Sequence, residues 1–303
     1  MNNSLVSIVM CTYNGSRFVA EQIDSICRQT HTNLQIIIVD DASADTTYEI
    51  VKQYAAKDER ISPYRNENNL GFNLNFNKAC QLAKGDFIAI ADQDDIWEPS
   101  KVETLLAKIN EDPEILLVHC ISARFEKFGE FHLKSHKLVN YSAGKDVRNF
   151  FLSNFISGHN MLIRRSLLEK SFPFPPNVYY DWWLAAVACC HGRIEPVSQI
   201  LVWHRMHDSN VTGAAKPKLH LYKQVMAILP QLMTIKEMGQ AEKDFAGQLL
   251  QYYSVFPAKR FSWSLFLFLF KHAKIIFAQK KRAFPWFSYF KHSWKAAKAS
   301  TFA

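Results

Sequence analysis

Glycine is scarce in this chain, with ten residues among 303. None of the ten belongs to a GxGxxG or GxxxxGK[ST] spacing, the two patterns in which backbone amides cradle phosphate groups. A nucleotide site of either usual kind is therefore excluded. If the protein binds phosphates, a group other than a glycine-rich loop has to offset their charge.

Paired cysteine motifs are also missing. The six cysteines show no CxxC and no cysteine–histidine spacing, which argues against a zinc site or a disulfide framework. We expect reduced, buried thiols, as in a cytosolic protein. The N-terminus Met-Asn-Asn-Ser has neither a basic region nor an apolar leader, so we do not expect export.

Acidic residues are absent from the C-terminal stretch 256–303, which carries ten lysines and arginines. The net charge of +8 therefore belongs to this stretch, and the remainder is close to neutral. Because the basic character is confined to the tail, we predict no nucleic-acid partner for the main domain.

Strand-like and helix-like segments alternate through the first third of the chain. Apolar runs predict strands at residues 5–10, 34–39 and 87–91, and a short strand is predicted at residues 61–65. Helical spacing lies between them, at residues 18–27, 46–55 and 75–83. This alternation predicts an α/β fold with a mostly parallel sheet.

The later segments are less regular. We predict strands at residues 116–122, 158–163 and 200–204, and a polar hairpin over 123–138. Helices are predicted at residues 181–191, 219–238 and 242–253.

Polar clusters follow three of the predicted strands, at residues 11–15, 40–45 and 92–97. Ligands of open parallel sheets bind beyond such strand ends. Asp41 or Ser43 could instead cap the following helix. Three carboxylates after a buried strand repel one another unless a cation is present, so Asp92 and Asp94 predict a Mg²⁺ or Mn²⁺ site. In an extended segment these two side chains would point to the same side.

Taken in order, these motifs resemble those of glycosyltransferase family 2, the inverting enzymes with a GT-A fold. The motifs are VSIVMCTYN (6–14), IVDDAS (38–43), NNLG (68–71), KGDF (84–87), DQDDIW (92–97), DWW (181–183) and HRMHDSNVTG (204–213). The resemblance covers roughly residues 4–213 and is strongest to bacterial rhamnosyltransferase-like enzymes of surface polysaccharide synthesis, including lipopolysaccharide.

The resemblance also implies roles for individual residues. Nucleotide contacts fall on Thr12, Tyr13, Asn14, Asp41 and Asp92. Metal contacts fall on Asp94, Asp92 and His207, and the catalytic base on Asp181. Donor or acceptor contacts fall on Asn75, Asp95, Gly158 and Trp182. From the residues alone, Asp181 could equally be a helix N-cap and His207 a structural histidine.

The basic tail contains a run of ten apolar residues at 261–270, too short for a spanning helix, which needs ~20 residues. Lysine and arginine alternate with tryptophan and phenylalanine around it. This composition is typical of a segment that lies on an anionic membrane surface. The alternative is that the aromatic residues pack on the catalytic domain or on a second subunit.

The resemblance and the residue patterns together predict a GT-A catalytic domain over residues 1–215, with a nucleotide-binding half (1–95) and an acceptor-binding half (96–215). A helical extension follows over residues 216–303. The expected reaction is sugar transfer from a UDP- or dTDP-sugar to a hydroxyl of a lipid-linked glycan, at the inner face of the cell membrane. The alternatives are a sugar-phosphate nucleotidyltransferase and an inactive sugar-nucleotide-binding scaffold.

Overall fold

The computed structural model describes residues 4–126, 131–132, 143–207, 221–255, 261–280 and 284–298. Its strands are β1 (Val6–Thr12), β2 (Leu34–Asp40), β3 (Ile61–Arg65), β4 (Phe87–Ala91), β5 (Ile96–Trp97), β6 (Ile115–Phe125), β7 (Phe131–His132), β8 (Met161–Arg164) and β9 (Arg193–Arg205). Its helices are α1 (Val19–Cys27), α2 (Thr47–Ala55), α3 (Phe72–Gln81), α4 (Lys101–Ile109), α5 (Arg165–Ser171), α6 (Tyr180–His191), α7 (Leu221–Leu232), α8 (Gln240–Ser254), α9 (Trp263–Lys271), α10 (Ala273–Ile276) and α11 (Pro285–Ala296).

Within the described ranges the strands form a single sheet, in the order β3-β2-β1-β4-β8-β6-β9-β5, with β7 paired to β6. The first four of these strands are parallel, as are β6 and β9. Strand β8 runs antiparallel to both of its neighbours and joins the two parallel groups. The predicted α/β fold with a mostly parallel sheet is therefore confirmed.

The central strands were recognisable because both of their faces are covered. All five residues of β4 are buried, and all but one residue of β1 and of β2, so no polar alternation is needed. One apolar cluster lies on each side of the sheet. Since β1, β2 and β4 are parallel, their carboxyl ends meet at one edge.

Several local predictions were wrong. Residues 158–160 of the predicted strand 158–163 form a 3₁₀ turn, the predicted helix 219–238 ends at Leu232, and the predicted strand 200–204 is the last part of β9, which begins at Arg193.

Helix α3 begins at Phe72, three residues before the predicted start, because Gly71 with φ 80° ends the preceding loop. The residues from Asp92 to Asp95 form a turn rather than an extended segment. The two carboxylates of the D-x-D spacing therefore do not share one side through strand alternation.

Helices α9 and α10 pack with one face on the preceding part of the chain. Leu265, Leu269 and Ile276 are fully buried and belong to the same apolar cluster as α6. The Gln279 amide donates a 2.7 Å hydrogen bond to Ser153 Oγ. No helix among the described residues has the length and apolar content needed to cross a membrane. Residues 256–260, 281–283 and 299–303 of the tail, and most of the predicted 123–138 hairpin, lie outside the described ranges.

Candidate active site

A cavity of about 900 Å³ opens at the carboxyl ends of β1, β2 and β4. Nine of the predicted site residues line it: Thr12, Tyr13, Asp41, Asn75, Asp92, Asp94, Gly158, Asp181 and Trp182. Asn14, Asp95 and His207 do not line it, although each contacts residues close to it. The sheet thus brings together motifs that are widely separated in the sequence.

The loop after β1 is fixed by Gln93 from the loop after β4. The backbone N–H of Tyr13 donates to Gln93 Oε1 at 2.9 Å, and Gln93 Nε2 donates to the Tyr13 carbonyl at 3.1 Å. The Tyr13 side chain remains 49% exposed and is available for stacking. Asn14 has φ 47° and accepts a hydrogen bond from the Ala44 N–H, so it joins two loops.

Asp41 is buried, and the loop that precedes α3 surrounds its carboxylate. It accepts hydrogen bonds from Asn66 Nδ2 at 2.7 Å, the Leu70 N–H at 2.8 Å and the Gly71 N–H at 2.9 Å. The Asn75 side chain in turn accepts from Asn66 at 2.9 Å and donates to the Val39 carbonyl. Both predicted ligand contacts therefore hold the cavity wall through internal hydrogen bonds.

The alternative that Asp41 or Ser43 caps the next helix is wrong. Helix α2 begins at Thr47, and its N-cap position is Thr46. Ser43 instead donates to Asp40 Oδ1 at 2.5 Å and receives the Asn14 N–H at 2.9 Å.

Each of the three carboxylates after β4 lies beside a histidine, and Asp95 also lies 3.6 Å from a second one, His159. The oxygen–nitrogen distances are 2.9 Å for Asp92–His159, 2.7 Å for Asp94–His207 and 3.0 Å for Asp95–His204. The rings of His159 and His204 stack with their centroids 5.0 Å apart. The remainder of the last predicted motif, residues 208–213, lies outside the described part of the chain.

The surroundings of these paired groups shift their pKa values in different directions. Burial, together with the neighbouring Asp95 and Asp92, raises the pKa of Asp94 to about 6. Burial would also raise the pKa of Asp95, but His159 and His204 outweigh it and hold that pKa below its usual value. Burial would lower the pKa of His204, but Asp95 raises it to about 9. The charge of Asp94 is thus less compensated than that of Asp95.

Two groupings could hold a metal ion. Asp94 and His207 provide a carboxylate oxygen and an imidazole nitrogen beside the cavity. Asp95, His159 and His204 have their ligand atoms within 4.8 Å of one another. The His159 and His204 ring planes are only 12° apart, and a metal bound to both nitrogens would have to lie in both planes. The second grouping therefore needs a ring rotation, whereas the first does not.

Asp181 lies in the first turn of α6, on the cavity wall. Its Oδ1 accepts the Trp182 N–H at 2.7 Å. Burial raises the pKa of its carboxyl to about 7, and Asp92 adds to this effect. The N-cap alternative is wrong, because the N-cap position is Tyr179 and has no side-chain cap.

Gly158 and Trp182 shape the wall beside Asp181. A Cβ atom at Gly158 would lie 1.9 Å from the Tyr180 hydroxyl, so no side chain fits there. Trp182 is 4% exposed, and its indole N–H donates to the Phe150 carbonyl at 2.7 Å. This hydrogen bond gives Trp182 a packing role at the cavity margin.

Three residues of the site were missed by sequence reasoning: Gln93, Lys101 and His159. Gln93 and His159 stand next to predicted site residues, and their position within the motifs was the available signal. Lys101 gave no signal, because a lysine in the first turn of an amphipathic helix is normally exposed.

Comparison with known proteins identifies the family. The family described as glycosyl transferase family 2 matches residues 7–172, and the chain belongs to this family. An uncharacterized glycosyltransferase of Methanocaldococcus jannaschii is 29% identical over 278 residues, which cover 89% of each chain. The putative glycosyltransferase EpsH of Bacillus subtilis is 29% identical over 78% of this chain and 72% of its own.

Two solved structures with nucleotide sugars bound have a similar fold. S. aureus TarS 1-349 in complex with UDP-GlcNAc aligns with a TM-score of 0.63 and 18% identity, over 98% of this chain and 82% of its own. The mannosyltransferase PcManGT from Pyrobaculum calidifontis, in complex with GDP-Man and Mn²⁺, aligns with a TM-score of 0.53 and 19% identity, over 83% of this chain and 69% of its own. At these identities the likeness establishes the GT-A fold.

Proposed function

We propose that this protein is an inverting glycosyltransferase that transfers a sugar from a UDP- or dTDP-sugar to a hydroxyl group of a glycan. The observation that carries the proposal is the placement of Asp181 in the same cavity as Asp92 and Asp94. One wall offers a proton acceptor, and another offers carboxylates suited to a metal–diphosphate complex.

Asp181 acts on the acceptor. Its raised pKa makes it a stronger base than an exposed aspartate. It accepts the proton of the acceptor hydroxyl as that oxygen attacks the anomeric carbon. The bond to the nucleoside diphosphate breaks on the opposite face of the sugar, and the anomeric configuration inverts.

Asp94 and His207, together with Asp92, would hold Mg²⁺ or Mn²⁺. The fit rests on the partly buried Asp94 carboxylate, whose negative charge is opposed by Asp92 and Asp95; a cation would reverse this penalty. When bound, the ion neutralises the charge of the diphosphate leaving group. Tyr13 would stack on the base, with Thr12 and Asn14 in the same loop and Asp41 beside it. Asn75, Asp95, Gly158 and Trp182 would define the sugar sites.

The nucleotide donor is supported by TarS and PcManGT, whose structures contain UDP-GlcNAc and GDP-Man. The sequence motifs favour the rhamnosyltransferase-like subgroup and a role in cell-surface polysaccharide or lipopolysaccharide synthesis. We assign residues 1–95 to nucleotide binding, 96–215 to acceptor binding and 216–303 to a helical extension.

The extension would dock on the inner face of the cell membrane and favour a lipid-linked acceptor. Trp263, Trp286 and Phe287 are 61%, 72% and 79% exposed. The aromatic residues of α9 and α11 touch one another, with ring centroids 4.9 Å apart for Phe270 and Trp286. The exposed charged side chains of α9, α10 and α11 are all lysines: Lys271, Lys274, Lys291 and Lys295. This composition matches an anionic bilayer surface.

A panel of UDP- and dTDP-sugars tests the reaction, with glycan acceptors and with Mn²⁺ or EDTA. We expect release of nucleoside diphosphate and glycan elongation with Mn²⁺, and loss of both in EDTA. Consumption of a sugar phosphate and a nucleoside triphosphate would instead identify a nucleotidyltransferase. Donor binding without turnover for any acceptor would favour a scaffold.

A further inference from the structure

Lys101 is a buried cation close to the carboxylates of Asp92 and Asp95. Its side chain has no solvent exposure, although lysine is almost never fully buried without a partner. Its Nζ donates a 2.6 Å hydrogen bond to the His159 carbonyl and lies 3.1 Å from the centroid of the Trp97 ring. Burial lowers its pKa to about 7, opposed by Cys120, Asp95 and Asp92. Burying a charged side chain costs free energy, so the position of Lys101 needs an explanation in its surroundings.

The carbonyl that Lys101 binds belongs to a short 3₁₀ turn, Gly158–Asn160, which connects the two chemical parts of the cavity. The backbone N–H of Gly158 lies near the Asp181 carboxylate and partly offsets the rise of its pKa, and both residues line the cavity. The next residue, His159, contacts Asp92 through Nδ1 at 2.9 Å. Adjacent residues of one turn therefore lie beside the proposed base and contact the proposed diphosphate side.

The same turn is packed tightly on its other sides. Cys120 Sγ contacts the Asn160 carbonyl at 3.4 Å, and Ser122 Oγ contacts His159 Nε2 at 3.2 Å. The Tyr180 hydroxyl occupies the space where a Gly158 side chain would lie. Lys101 contacts this turn from the start of α4. The rest of α4 packs on β6, β8 and β9.

We propose that Lys101 is a positioning residue: its ammonium group fixes the Gly158–Asn160 turn and so sets the relative placement of Asp181 and Asp92. The proposal rests on the proposed function, because it assumes that these two carboxylates act on acceptor and donor. Lys101 itself touches neither substrate, since it is not among the residues that line the cavity.

Lys101→Met tests this role. Methionine keeps the length and the apolar contact with Trp97 but cannot donate to the His159 carbonyl. We expect faster amide hydrogen exchange over residues 157–161, because the turn loses its tether. We also expect about tenfold weaker calorimetric binding of UDP in the presence of Mn²⁺, and a fall in kcat that exceeds the rise in the KM for the donor.

Arg164→Met is the matched control. Arg164 is also a partly buried cation that binds backbone carbonyls, those of Ile115 and Ile109, at 2.8 and 2.6 Å. It lies at the far end of β8 from the Gly158–Asn160 turn. The Arg164→Met substitution should lower the melting temperature. It should change neither the amide hydrogen exchange of residues 157–161 nor the affinity for UDP with Mn²⁺. Should Lys101→Met not fold, Lys101→Leu, which also lacks a donor, is measured in its place.

Unchanged exchange over 157–161 and unchanged UDP–Mn²⁺ affinity in the Lys101 variant would overturn the proposal. A lower melting temperature alone would also overturn it, because that result describes a purely structural lysine. If the native protein binds neither UDP nor dTDP with Mn²⁺, the proposed donor is wrong. The exchange comparison still decides whether Lys101 fixes the turn.

Discussion

Replacing Asp181 by asparagine separates a catalytic base from a structural side chain. Asparagine has nearly the same shape and retains an oxygen that can accept the Trp182 N–H, now at 2.7 Å from Asp181 Oδ1. It cannot take a proton from an acceptor hydroxyl. A positioned base contributes roughly 10²–10⁴-fold to turnover, and we expect Asp181→Asn to lose about that factor while donor affinity is kept.

The pH profile should report the same group. The pKa of Asp181 is raised to about 7, and the base acts when deprotonated. We therefore expect kcat/KM of the native enzyme to fall about tenfold per pH unit below about pH 7.

Stability should change in the opposite sense. The pKa of Asp181 in the folded protein lies above its unfolded value of about 3.9. Its contribution to stability is therefore complete below about pH 3.9 and is lost as the pH rises through about 7. This pKa difference of about three units corresponds to at most about 4 kcal/mol of unfolding free energy. Asp181→Asn has no charge to bury, so at pH 8 it should unfold at a higher denaturant concentration than the native protein.

Steady-state kinetics, donor titration calorimetry and urea unfolding at pH 5 and pH 8 provide the three measurements. Asp24→Asn is the control, since Asp24 is a partly buried carboxylate that binds the Tyr54 hydroxyl outside the cavity. Loss of donor binding together with turnover, or destabilisation of Asp181→Asn at pH 8, would refute the assignment of Asp181 as the base.

Three further predictions concern the metal, the tail and the wall of the cavity. Asp94→Asn should lose Mn²⁺-dependent donor binding and turnover with little change in folding; full activity of this variant in EDTA would exclude the metal hypothesis. Replacing Trp286 and Phe287 by alanine should reduce flotation with phosphatidylserine vesicles without changing the circular dichroism spectrum. High salt should release the native protein only partly, because screening removes the electrostatic contribution to membrane binding but not the apolar one. Undiminished flotation of the double variant would contradict the proposed membrane surface. Gly158→Ala should destabilise the protein by roughly 1–3 kcal/mol through overpacking against the Tyr180 hydroxyl, measured by thermal unfolding; a melting temperature equal to the native one would contradict the close contact.

The strands could be predicted from the sequence because their burial leaves a simple signal. Predicted strands 61–65 and 87–91 coincide with β3 and β4. The β4 run is apolar without alternation because both of its faces are covered, whereas β3 lies at the sheet edge and exposes Tyr64 and Arg65. Helix boundaries were less certain where capping came from backbone conformation, as at Gly71.

Side-chain partners in the site could not be predicted in the same way. The D-x-D spacing correctly indicated that Asp92 and Asp94 belong to one cavity. The turn at these residues nevertheless sends each carboxylate to a different histidine, His159 and His207. These pairings join residues more than sixty positions apart in the chain. A local pattern carries no information about such long-range contacts.

The hydrogen bond between Gln279 and Ser153 has a geometric consequence. Ser153 belongs to the cavity wall, and Gln279 lies between the two helices that expose the aromatic and basic side chains. If those helices rest on a bilayer, the cavity is held at a constant height above the lipid plane. The protein would then select acceptors by length: it would accept a hydroxyl of a lipid-linked chain at one distance from the membrane and reject the same sugar placed nearer or farther.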